Sequence, residues 1–149
     1  MRAVVTKVKS ASVAVSGKET QAIEGGLLVL LGSQEGDTQA DIAYIVEKVC
    51  NLRIFEDAQG KMNLSLREVG GEILVVSQFT LLGDARKGRR PSFIHAGAPE
   101  QAEAIYDRAV AAFRQTGIPI KTGTFQAHME VASINDGPVT ILLDSRKLF

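Results

Sequence analysis

The segment Gly26-Leu27-Leu28-Val29-Leu30-Leu31-Gly32 holds five consecutive aliphatic residues with no polar position among them. A strand with one wet face alternates, and a surface helix keeps a polar side. A short apolar run bounded by glycines does neither, and reads as a central strand covered on both faces. Such a strand demands layers on either side of its sheet. Residues 72–79, entered by Gly70-Gly71, read as a second strong strand.

Two helical segments offer a cover. Residues 38–52 place Ile42, Ile45, Val46 and Val49 on one face, with Asp37 or Thr38 as cap and Asp41 in the first turn. From Pro99 to Gly117, Ala102, Ile105, Tyr106, Ala109, Val110 and Phe113 form a buried stripe, and Gly117 and Pro119 end the helix. Residues 2–8 and 11–15 read as two strands before a turn at Ser16-Gly17-Lys18. Gly25-Gly26 reads as a hairpin turn between 21–24 and 27–31, and 53–55 as a strand before a turn at 57–60. Three strands are expected near 120–125, 127–134 and 138–143. No linker or repeat interrupts the 149 residues, so a single domain over 1–149 is expected. The fold class is α/β of an α+β-like kind: layered mixed sheets with two main helices.

The chemistry is narrowed by what is missing. Lys and Arg number 17, as do Asp and Glu, so any polyanion-binding surface has to be a local patch. One cysteine, Cys50, excludes a disulfide framework and a cysteine zinc site, and reads as an inert core thiol. Lys7 and Lys9 interrupt the first apolar run, so no export signal or membrane span is expected and the cytoplasm is the expected compartment. No GxSxG, GxGxxG or Walker pattern occurs. The two histidines lie far apart. His128 is placed on the solvated face of a strand with Glu130, opposite Ala127, Met129 and Val131, while His95 follows a basic loop. Asp57, Asp84, Asp136 and Asp144 read as solvated turn residues, and neither a metal nor a cofactor is expected.

Two motifs remain. Ser77-Gln78-Phe79-Thr80 sets two hydroxyls, an amide and a ring where a buried strand opens into a loop; on its own it also fits a polar strand end. Asn135-Asp136-Gly137-Pro138-Val139-Thr140 is a strong turn signal and on its own fits a hairpin, with Pro138 opening the last strand. Between them lies the aperiodic, Arg-rich segment 82–98 with Arg86, Lys87, Arg89 and Arg90, which reads either as a solvated loop or as a site for RNA phosphates.

SQFTL, a loop carrying RRPSF, and NDGPVT together resemble the D-aminoacyl-tRNA (D-tyrosyl-tRNA) deacylase family. So do the opening RAVVTKVKSASVAV, GLLVLLG, RIFED-x-x-GKMN, GEILVVSQFTL and the helix entry APEQAEAIYD, so the resemblance runs nearly end to end. It implies a homodimer with a barrel-like layered fold that cleaves the ester between a D-amino acid and the terminal adenosine of tRNA. It implies that Ser77, Gln78, Phe79 and Thr80 line the acyl pocket. It also implies that a cis Gly137-Pro138, with Met129 and Asn135 nearby, enters the partner's site and rejects L-residues. The partner is then tRNA, with neither DNA nor a membrane. The chain departs from the family at Thr6-Lys7, where a Gln-Arg pair is usual, at His128 in place of an aspartate, and at Ser133 in place of a leucine.

With no base recognisable beside Thr80, substrate-assisted hydrolysis using the ribose hydroxyl is the preferred chemistry, with backbone N–H groups of Phe79 and Thr80 for the oxyanion. Phe79, Phe93 and Phe125 are candidates to stack the terminal base, Phe125 equally as core. A non-catalytic RNA-binding module and a hydrolase of another small ester are the rival readings.

Overall fold

In the computed structural model, which describes residues 1–149, the first strand β1 (Arg2–Ala14) is the axis of a six-stranded sheet. β2 (Gln21–Ile23) and β3 (Gly26–Gly32) follow one another along one edge of β1 in a single antiparallel register, Ala11 opposite Ile23 and Val8 opposite Gly26. β6 (Glu72–Ser77) lies parallel to β3, and β7 (Ile120–Thr122) lies parallel to β6. β8 (Glu130–Asp144) takes the other edge of β1. The sheet curls until β7 meets β2, and Lys18 Nζ donates to Thr124 Oγ1 at 3.2 Å across that seam. A small hairpin of β4 (Phe55–Glu56) and β5 (Met62–Leu64) stands apart.

The unbroken apolar runs have a simple cause. Leu27, Val29 and Leu31 of β3, with Ile73 and Val75 of β6, face a core built with α1 (Gln39–Asn51) and α3 (Pro99–Gln115). The alternate residues Leu28, Leu74 and Val76 face a second core inside the curled sheet, with Val8, Ala11, Val13 and Ile23. Both faces of β3 and β6 are therefore dry. Helix α1 starts at Thr38, whose N–H donates to Asp41 Oδ2 at 2.8 Å, as the cap signal implies. A one-turn helix α2 (Leu66–Val69), too short for a periodic signal, carries a Ser65–Glu68 capping box.

Three expectations are corrected. Residues 2–14 form one strand, and the interruption at 9–10 is a bulge: Ala3 and Val5 face the helices, whereas Ala11 and Val13 face the inner core. Gly25-Gly26 is no hairpin turn; the turn is at 15–20, and the glycines lie where β2 passes into β3, with Gly26 as the first residue of β3 opposite Val8. The segments near 127–134 and 138–143 are one strand, since both halves of β8 pair with β1 in the same direction. Asn135-Asp136-Gly137 therefore does not reverse the chain. Thr140 is opposite Thr6 and Asn135 is opposite Val8, so residues 136–139 bulge out over the single residue Lys7.

Gly26 is demanded by space. A Cβ there would lie 2.0 Å from the backbone oxygen of Glu72, whereas one on Gly25 would meet nothing within 4 Å. Gly26→Ala is expected to cost roughly 3 kcal/mol in urea unfolding, the upper end for overpacking against backbone. Gly25→Ala is expected to stay within about 0.5 kcal/mol of the parent.

Candidate active site

β6 delivers the first motif. Ser77 is its last residue, Gln78 bridges to a single 3-10 turn at Phe79–Leu82, and Gln78 N–H donates to Leu31 O at 2.8 Å. Ser77, Gln78 and Phe79 line a cleft of about 450 Å³. Gly97, Pro99 and Ala102 at the start of α3 form one wall, and Phe125, Gln126, Ala127, His128 and Met129 form another, continued by Val131 of β8. Thr80 stands exposed at the edge, where its hydroxyl oxygen accepts from the Gln78 side-chain amide.

Two features define what the cleft can do. The N–H groups of Phe79 and Thr80 open the 3-10 turn, and neither donates to any group of the chain. They are free to bind an anion or a polarised carbonyl. Among the side chains lining the cleft, His128 alone is titratable. The site thus has donors and apolar surface, but no carboxylate, lysine or cysteine.

His128 is placed differently from expectation. Residues 123–129 are a loop rather than a strand, with Gln126 at φ +58°, so Ala127, His128 and Met129 all border the same cleft instead of alternating. Met129 packs against Gly123, where a Cβ would lie 2.5 Å from its sulfur. Phe125 packs on the core as expected, 5.8 Å from the Tyr106 ring, and also borders the cleft. Tyr106 in turn donates to Val75 O at 3.1 Å, and burial raises its phenol above the ordinary range. Nothing in the sequence marked Gln126 or the start of α3 as cleft wall, because a place on a cleft wall is defined only by what faces it.

The second motif is not in this cleft. Gly137 and Pro138 are exposed on the β8 bulge, and their peptide bond is cis. Asn135 closes the bulge from within, its Oδ1 accepting from Val139 N–H at 3.1 Å and its Nδ2 donating to Thr140 Oγ1 at 3.3 Å. Lys7, 5 % exposed, sits beneath with Nζ 3.3 Å from Asp136 Oδ2 and 5.7 Å from the centre of the Phe55 ring. Asp136 is therefore an ion-pair partner and no mere turn residue.

The basic loop is closed at its base by paired backbone bonds between Asp84 and Ser92, at 2.8 and 2.9 Å. Arg86 is not a free cation. Its Nε and Nη2 grip Asp84 at 2.9 and 2.6 Å, and those contacts hold the Asp84 carboxyl far below the usual carboxylate range. Asp84 and Asp144 thus depart from the solvated-turn reading, the latter being 2 % exposed and paired with Arg2. Lys87, Arg89 and Arg90 remain exposed at the loop tip and form no ion pair. Phe93 stacks edge-on to Phe79, centroids 5.0 Å apart. His95 lies beside Asp84 in a separate cleft rather than with the first motif. No helix is long and apolar enough to cross a membrane.

A family model described as D-Tyr-tRNA(Tyr) deacylase matches residues 4–144. The chain belongs to that family. A D-aminoacyl-tRNA deacylase of Kosmotoga olearia is 59% identical over 149 residues, covering 100% of both chains. One of Myxococcus xanthus is 60% identical over 145 residues, 97% of this chain and 95% of that one. Among solved structures, a c-Myc DNA unwinding element binding protein superposes with a TM-score of 0.90 at 45% identity, covering 97% of this chain and 98% of that one. A probable eukaryotic D-amino acid tRNA deacylase superposes at 0.77 and 19% identity over 95% and 97% of the two chains, which is a likeness of fold.

The Lys7–Asp136 pair is testable by itself. A double-mutant cycle of Lys7→Met and Asp136→Asn is expected to give a coupling of about 1 kcal/mol, moderate because Asp136 is partly wet. Additive effects in that cycle would show that the pair does not hold the bulge.

Proposed function

We propose that this chain hydrolyses the ester of D-aminoacyl-tRNA, releasing the D-amino acid and tRNA, and that it acts as a homodimer. The observation that carries the reading is the cleft bordered by Ser77, Gln78 and Phe79, with two unpaired N–H groups at its mouth and a single titratable side chain on its walls.

The ester joining an amino acid to a ribose oxygen is activated, so modest stabilisation of its tetrahedral intermediate suffices. Water adds to the carbonyl carbon, and the resulting oxyanion accepts from the N–H groups of Phe79 and Thr80, donors that lack other partners in the chain. Collapse expels the ribose oxygen. Thr80 is a poor nucleophile here, since its oxygen accepts from Gln78 and no base takes its proton. The neighbouring ribose hydroxyl is the group that remains to orient the water and move its proton, which makes the hydrolysis substrate-assisted. Lys87, Arg89 and Arg90 meet phosphates of the tRNA, while Arg86 shapes the loop through Asp84.

Rejection of L-residues is assigned to Gly137 and Pro138, with Asn135 holding their bulge and Met129 lining the receiving cleft. A rigid backbone wall where an L side chain would project discriminates by exclusion, and glycine, with no side chain, passes. The motif does not line its own chain's cleft, which supports a site completed by a second subunit. β8 supports the same arrangement: its outer edge pairs with no strand, and it carries exposed Val131, Ile134 and Leu142, an edge that a monomer leaves open to aggregation. Val131 also borders the cleft, so a partner seated on β8 is within reach of it.

Matched D-, L- and glycyl-tRNA discriminate among the readings. The D- and glycyl-esters are expected to be hydrolysed and the L-ester spared. Thr80→Ala and His128→Asn should retain D-specific hydrolysis, whereas a terminal 2′-deoxyadenosine should slow it about 100-fold or more. An acyl-enzyme trapped on Thr80 would refute substrate assistance. Binding of tRNA with no hydrolysis would favour the RNA-binding module.

Assembly is tested by mixing two chains, one with its cleft filled by Ala127→Trp and one carrying Gly137→Ala with Pro138→Ala, which keeps its cleft but loses rejection of the L-ester. Random reassociation of a two-fold dimer in equal amounts is expected to cut L-ester hydrolysis by the second chain to about half while leaving its D-ester hydrolysis unchanged, since half of its clefts then face an intact motif. An unchanged ratio of L- to D-ester hydrolysis, or full activity and selectivity in a dilute monomer, would count against a shared site.

A further inference from the structure

The 3-10 turn that presents the Phe79 and Thr80 amides is only four residues long and has little to hold it in place by itself. Its front is anchored by the Gln78 bond to Leu31, and by close packing on Gly32, where a Cβ would come within 2.9 Å of both Gln78 O and Leu82 Cδ2. Its back accepts a hydrogen bond from one side chain. Arg2 Nη1 donates to Leu81 O at 3.2 Å while Arg2 Nε donates to Asp144 Oδ2 at 2.9 Å. Asp144 is 2 % exposed, and its other oxygen accepts from Arg146 N–H at 2.7 Å, so the carboxylate is itself fixed. Arg2 and Asp144 face each other in the β1–β8 ladder.

We infer that Arg2 is a positioning residue for hydrolysis, its guanidinium fork tying the rear of the 3-10 turn to the β1–β8 pair and so setting the direction of the Phe79 and Thr80 N–H groups. Arg2 does not border the acyl cleft. It lines a separate cleft with Asp84, His95 and Phe149, so any influence on the reaction passes through the backbone of residues 79–82. A planar fork with two donors at a fixed angle spans carboxylate and carbonyl together. A lysine offers a point charge that satisfies the carboxylate alone. The inference rests on the proposal that those two amides stabilise the oxyanion.

The test compares Arg2→Lys and Arg2→Met with the parent by amide ¹H–¹⁵N shifts of residues 79–83, single-turnover hydrolysis of D-aminoacyl-tRNA, tRNA affinity and thermal midpoint. In Arg2→Lys, which keeps a cation for Asp144, the shifts of Phe79 and Thr80 are expected to move. Hydrolysis is expected to slow roughly 10- to 100-fold, below the 100- to 1000-fold typical when an oxyanion donor is lost outright. Affinity for tRNA should stay within about twofold, because the binding surface is untouched. Unchanged shifts in both variants would overturn the proposal whatever the rates. So would a fall in affinity and thermal midpoint that parallels the fall in rate, since that is general loosening. Displaced shifts with an unchanged rate would uphold the positioning of the turn by Arg2 and refute the oxyanion role of its amides, which separates the two readings.

Discussion

The double-sided pairing of β1 is the constraint from which the rest of the structure follows. One edge is taken by β2 and β3 in a single register and the other by β8, so a small shift on β1 is imposed on both neighbours. The bulge at 9–10 turns the strand's apolar residues from the helix-facing core to the inner core, which lets one sheet bury both of its faces. The register slip near Lys7 takes residues 136–139 of β8 out of the pairing with β1. The same ladder, at its other end, sets Arg2 against Asp144 and ties down the turn beyond Ser77. Both motifs are thus held by β1, at different points along it.

Electrostatics then acts locally. Positive and negative residues balance, and three cations near the two motifs are engaged: Arg86 by Asp84, Lys7 by Asp136 and Arg2 by Asp144. Each of these cations is met by a carboxylate of the same chain. The cations left over cluster at the loop tip between Lys87 and Arg90, a patch that the charge total conceals. At the cleft the Phe79 and Thr80 N–H groups are donors without a partner in the chain, and His128 is the one titratable side chain on its walls.

Elements whose signal is local were legible. Thr38 and Asp41 mark the start of α1, Pro99 the start of α3, and the uninterrupted run 27–31 a strand with two dry faces. Elements whose meaning lies in their neighbours were not. Gly25-Gly26 has the composition of a hairpin turn, yet Gly26 is there because the Glu72 backbone crosses against it. Asn135-Asp136-Gly137 has turn chemistry too, and it does bend the chain, but β1 recaptures the strand on the far side. His128 fits the alternation of a strand that was never formed.

By itself the sequence determined which segments are apolar on one face or two, where the helices begin, and, through the SQFT and NDGPVT pair, which family the chain resembles. Those are properties of neighbouring residues along the chain, governed by periodicity, capping and turn chemistry. The tertiary structure alone decided that β8 is one strand with a bulge, that Arg86 is bound while Arg89 is free, and that the Phe79 and Thr80 amides are left without partners. The reason is physical: register, ion pairing and the vacancy of a hydrogen-bond donor depend on which distant atoms arrive beside it, and no local pattern records that.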